Sequence, residues 1–142
     1  MITHSLLDIS NDSLELRSIQ LTDIILDLSL SNEVIVIGSC NGVRFLSWNL
    51  DVISKKDYPY HIKSSRFALI SSIACSLNHE HTRYVISEVN VIHEVDYHTH
   101  EIVAHYNGHH GSIACLRYAP DDKTFISGSD DSSIRLWTVE SN

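Results

Sequence analysis

Apolar and polar positions alternate with a period of two in short runs, and each run ends in turn residues, a pattern that predicts β-strands. The clearest example is the last third of the chain. Ser112 to Tyr118 alternates small or apolar with polar residues, and Ala119-Pro120-Asp121-Asp122 supplies a turn. Lys123 to Ser127 is a second run, Gly128 to Ser133 a second turn, and Ile134 to Val139 a third run. Three short strands joined by tight turns make an antiparallel meander, which needs neighbouring sheets to cover its faces.

The unit repeats. Ser72-Ile73-Ala74-Cys75 recurs as Ser112-Ile113-Ala114-Cys115, a shift of 40, and Ser87 recurs as Ser127. Ile73 to Ser87 and Ile113 to Ser127 each span 14 residues, and Ile24 to Gly38 spans 14 again. Three copies follow. The first runs through Asp23 to Leu28, Val34 to Ile37 and Val43 to Trp48, with Asn41-Gly42 as a hairpin turn. The second has Ile73 to Leu77, Tyr84 to Ser87 and Val91 to Tyr97. Ahead of them, Leu6-Leu7-Asp8 reads as a third-strand ending and Leu14 to Ile19 as an outer strand. The expected division is the end of one unit at 1–20, full units at 21–62 and 63–107, and a last unit at 108–142 without an outer strand.

Gly108-His109, Pro120-Asp121, Ser127-Gly128-Ser129, Asp131 and Ile134-Arg135-Leu136-Trp137 resemble one WD-repeat, the four-stranded blade of a β-propeller, with Thr138 where the family usually has Asp. The resemblance implies an all-β fold, a partial propeller of about three blades plus the tail of another. It also implies that His109, Ser127, Asp131 and Trp137 form a buried hydrogen-bonded network. By the same resemblance the first copy should lack that network, because Gly38 stands for the Ser and no Gly-His precedes it. In the second copy the Trp-Asp equivalent is either Val95-Asp96 or centred on Tyr97.

Ser127, His109 and Asp131 are also the parts of a hydrolase triad. No Gly-x-Ser-x-Gly elbow surrounds Ser127, so the set is assigned to architecture, not catalysis, and no cofactor is implied. The histidine pairs His79-x-His81 and His98-x-His100 have no third or fourth ligand at a suitable spacing, so no metal site is expected. Cys40, Cys75 and Cys115 have no paired zinc-ligand spacing, and the matching positions of Cys75 and Cys115 suggest small core residues.

Composition refines this picture. Of 142 residues, 43% are hydrophobic and 20% charged, as expected of a globular chain. Eighteen acidic against ten basic residues give a net charge of -8, which argues against a general nucleic-acid-binding surface and favours protein partners. The start of the chain lacks the pattern of a signal peptide, and no stretch has a membrane span's run of apolar residues, so a cytoplasmic and also nuclear location is expected. The longest connection, Asp51 to Ser65, leads into Arg66. Lys55, Lys56, Lys63 and Arg66 beside Tyr58 and Tyr60 make this segment a candidate partner-binding surface.

Three and a fraction blades leave two apolar faces bare, so the missing blades or a second chain would be needed to close a ring. Val95 to Glu101 and Tyr106 to Ile113 narrow the resemblance to the family's receptor-kinase-associated adaptors. That implies a non-enzymatic scaffold in ribonucleoprotein assembly, through the survival-of-motor-neuron complex that builds spliceosomal snRNPs for mRNA splicing, and in receptor-kinase signalling. The rival within the family is a scaffold like the i subunit of translation initiation factor 3.

Overall fold

The computed structural model describes residues 2–9, 12–39, 41–57 and 75–139. Within them the fold is all-β, a partial, unclosed propeller of antiparallel sheets. Strands β1 (Ile2–Ile9) and β2 (Asp12–Ile19) pair as a hairpin. The first four-stranded sheet is β3 (Ile25–Leu30), β4 (Val34–Ser39), β5 (Gly42–Ser47) and β6 (Val52–Asp57), in that order. The second is β7 (Cys75–Leu77), β8 (Arg83–Glu88), β9 (Val91–Asp96) and β10 (Ile102–Asn107). The third has β11 (Ile113–Tyr118), β12 (Thr124–Ser129) and β13 (Ile134–Thr138).

Alternation along each strand distributes side chains between two neighbours. From β4, Val34 and Val36 join Tyr84, Ile86 and Val95 in the core between the first and second sheets, while Ile35 and Ile37 pack with Leu46, Ile19 and Leu21 on the other side. From β8, Tyr84 and Ile86 face the first sheet and Val85 faces the third, where it meets Ile113, Leu116, Tyr118 and Phe125. The central strands are therefore apolar on both faces, which is why β4 is buried at all six positions. Among the described residues the third sheet has one covered face. Its other face exposes Ile126, Ile134 and Leu136. The first strands β3, β7 and β11 lie side by side.

Pairing corrects the repeat alignment by one residue. Phe125 pairs with Trp137, Tyr84 with Val95 and Ile35 with Leu46, and the first residue of each pair faces the preceding sheet. Two residues on, Ser127, Ile86 and Ile37 are equivalent; Ser87 and Gly38 instead match Gly128. A one-residue slip moves a side chain to the opposite face, so Ser87 cannot stand for Ser127. The ladder also resolves the second copy: Val95, not Tyr97, holds the Trp position.

Cys115 is a second correction. It is a free thiol on the exposed side of β11, beside the bulge at Ile113/Cys115, and not a core residue. The bulge leaves Ala114 and Cys115 both outward. Cys40 and the side chain of Cys75 fall outside the described residues.

Candidate functional site

The turn between β12 and β13 and the approach to β11 meet at one end of the third sheet. There the structure brings His109, Ser127, Asp131 and Trp137 together. His109 Nδ1 lies 2.8 Å from Asp131 Oδ2 and its Nε2 lies 2.7 Å from Ser127 Oγ, which also accepts the Trp137 indole N–H at 2.8 Å. A carboxylate only accepts, so His109 carries its proton on Nδ1 and receives the Ser127 hydroxyl at Nε2. Asp131 gathers further donors: the Ser133 hydroxyl at 2.6 Å and the backbone N–H of His110 and of Ser133, each at 2.9 Å. With the Ser133 hydroxyl first among them, these donors hold its carboxyl well below the usual range, against the opposing effect of burial.

The local sequence explains the approach. A Cβ on Gly108 would come within 2.9 Å of the Arg135 guanidinium and 3.2 Å of the Trp137 ring, so a larger residue before His109 would displace the end of the Arg135 side chain and press on Trp137. Trp137 stacks on Phe125 with ring centroids 6.2 Å apart. Asn90, from the β8–β9 turn, donates to the His109 carbonyl at 3.0 Å and ties the network to the neighbouring sheet.

These contacts have the connectivity of a Ser-His-Asp triad, but not its access. Ser127 is 1% exposed and His109 3%. The Ser127 hydroxyl donates to His109 while its oxygen accepts from Trp137, so the nucleophile's position is filled from both sides.

The basic segment is divided. Lys55 and Lys56 lie on the outer strand β6, opposite Arg44 and Val43, and not on a connecting loop. Lys55 is exposed and reaches Asp57 only at 3.9 Å. Tyr58, Tyr60, Lys63 and Arg66 lie outside the described residues. The histidine pairs are also taken up singly. His79 binds Asp122 at 3.0 Å, His81 approaches Glu33 at 3.6 Å, and His100 sits between Ser54 at 3.0 Å and Tyr84 at 3.3 Å. Burial, then the charge of Lys56, holds the His100 imidazolium pKa below its ordinary value.

Two polar clusters escaped the sequence reading. In the first sheet Asp23 accepts from Asn41 at 2.7 Å, Arg44 at 2.6 Å and Ser39 at 3.3 Å, a clamp of different residues joining the start of β3 to the β4–β5 turn. Between the second and third sheets the wholly buried Glu94 accepts from Tyr106 at 2.7 Å and from Tyr118 and Arg83 at 3.3 Å. Burial first, then the neighbouring Glu94 charge, pushes the Tyr118 hydroxyl far up. Glu94 shares a face with Ile92, so an acid at an apolar position of the alternation was the available signal. A cleft of ≈ 490 Å³ lined by Arg83, Glu94, Tyr118 and Lys123 opens there.

Stacked antiparallel sheets of three and four strands, with this network in the last, define a chain carrying a WD40 repeat: residues 100–138 match the family model described as WD domain, G-beta repeat. Over part of its length it is homologous to serine-threonine kinase receptor-associated protein. The Bos taurus protein of that name is 31% identical over 108 residues, 74% of this chain and 28% of the relative. The Dictyostelium discoideum one is 29% identical over 114 residues, 79% and 36%. Set1 complex component swd2 of Schizosaccharomyces pombe is 27% identical over 113 residues, 80% and 28%. The chain thus spans at most 36% of the length of these three relatives.

Proposed function

We propose that this chain is a non-enzymatic adaptor that serves ribonucleoprotein assembly of the survival-of-motor-neuron type and receptor-kinase signalling, in the cytoplasm and nucleus. The observation that carries the scaffold reading is the state of Ser127: its hydroxyl is buried and doubly engaged, so the one triad-like set among the described residues holds two turns to a strand. His109, Ser127, Asp131 and Trp137 are then architectural, and binding falls to exposed strands and turns. The similarity to serine-threonine kinase receptor-associated protein supports the narrower assignment.

Proximity labelling in cells expressing the tagged chain tests it. Enrichment of ribonucleoprotein-assembly proteins or of a receptor kinase is the expected result. Enrichment of Set1-complex components alone would replace the assignment with the one that swd2 suggests. A hydrolase screen in which activity depends on Ser127, shown by loss in Ser127→Ala, would overturn the architectural reading.

A further inference from the structure

His93 on β9 and His105 on β10 are directly opposed across the ladder, and their Nδ1 atoms are 2.8 Å apart. Their rings meet edge to face with centroids 4.9 Å apart. On its other side His93 Nε2 lies 2.9 Å from Glu88 Oε2. The carboxylate can only accept, so His93 is protonated at Nε2 and presents a lone pair at Nδ1. His105 then donates from its own Nδ1 in the hydrogen-bonded state. Its ring is exposed to solvent, so transfer of that proton to Nε2 through water frees a second lone pair beside the first.

From this geometry we propose that His93 and His105 form a two-histidine site for a tetragonal divalent cation, Cu²⁺ above all, with Glu88 as the positioning residue behind His93. A carboxylate on the far nitrogen of a ligating histidine fixes its tautomer and raises its basicity, and Glu88 stands at that place. The spacing selects the metal. With metal–imidazole bonds of about 2.0–2.1 Å, nitrogens at this separation subtend roughly 85–90° at a shared ion, the cis angle of a square-planar or tetragonal centre. A tetrahedral Zn²⁺ would need them roughly 3.3–3.4 Å apart. Water fills the remaining positions, because no group of three or more His, Cys, Asp or Glu side chains converges among the described residues. Neither His-x-His pair in the sequence takes part; the ligands come from adjacent strands.

The whole chain is titrated with CuCl₂ in the presence of glycine, which strips weak single-histidine sites, and followed by electron paramagnetic resonance. The expected result is one tetragonal Cu²⁺ per chain with two imidazole nitrogens. His105→Asn and His93→Asn should each remove the two-nitrogen signal. Glu88→Gln should keep it while weakening affinity by about ten- to a hundredfold. His105 is exposed, so its variant keeps the test decisive even if His93→Asn fails to fold. An unchanged two-nitrogen spectrum in His105→Asn would overturn the site. Unchanged affinity in Glu88→Gln would overturn the role of Glu88, and a tetrahedral Co²⁺ spectrum at this pair would overturn the choice of metal.

Discussion

The Trp137 indole N–H donates to Ser127 Oγ at 2.8 Å, and through that oxygen the third strand of the last sheet is joined to His109, which precedes its first. Removing either end of this chain of bonds leaves buried partners unpaired. Trp137→Ala also loses the stacking on Phe125 and should cost about 3 kcal/mol, the lower end for aromatic truncations because Trp137 is only half-buried. His109→Ala should cost about 1–3 kcal/mol. The double variant should cost less than the two together, since both act on Ser127. Urea midpoints measure all three, and wild-type midpoints in the single variants would remove the network from the account of stability.

Acid should weaken the fold through two carboxylates. Asp131 is held low by the Ser133 hydroxyl and the His110 N–H, and Asp23 by the Asn41 amide and, against its burial, Arg44. A carboxyl depressed in the folded state contributes stability that is whole above its unfolded value of about 3.9 and is lost as pH falls below it. The urea midpoint should therefore fall between about pH 5 and pH 2. Asp131→Asn should be weaker at neutral pH and show a shallower fall. Parallel curves for the variant and wild type would assign the acid sensitivity elsewhere.

Val89 occupies the left-handed region, with φ 53°, in the two-residue turn between β8 and β9. A β-branched residue there costs about 1–2 kcal/mol that glycine does not. Val89 is also 46% exposed, so little packing is lost on its removal. Val89→Gly should raise the thermal midpoint, while Val89→Ile should leave it unchanged or lower it. A lower midpoint for Val89→Gly would mean that the side chain packs more strongly than its exposure implies.

The sheets were legible in the sequence because Phe125 to Ser127 alternates with period two, while Val34 to Ile37 and Tyr84 to Ser87 are short continuous buried runs bounded by turn residues. The network was legible for a different reason: Gly108-His109, Ser127, Asp131 and Trp137 carry a family's spacing. The second copy was misaligned by one residue because its Cys and Ser recur 40 positions on while the ladder repeats at 41: Cys75 pairs with Ile86 but Cys115 with Gly128, so the identical Ser residues fall on opposite faces. Glu94 and Asp23 were missed because their partners, Tyr118 and Arg44, are distant in sequence and meet them only through sheet stacking and strand pairing.

The outer strand of the first sheet offers the functional test. Gly42 begins β5 with φ 146°, and a Cβ there would fall onto the Lys56 carbonyl, so the close pairing of β5 with β6 fixes where Lys55 and Lys56 present their charge. Lys55 makes only the long contact to Asp57, an exposed pair worth at most about 1 kcal/mol. Reversing Lys55, Lys56 and Lys63 to Glu should therefore weaken capture of an acidic partner in a salt-dependent way, with the urea midpoint moved by no more than about 1 kcal/mol equivalent. Gly42→Ala should weaken the same capture by disturbing the strand while leaving every charge in place, at a cost to stability above about 1 kcal/mol. If both variants recover the same proteins from cells at wild-type yield and at every salt concentration, this face is a solvated edge. Binding would then be sought at the turns 78–82 and 130–133, where Asn78 and Asp131 hold the backbone by their own hydrogen bonds and leave Glu80 and Ser132 exposed to a partner.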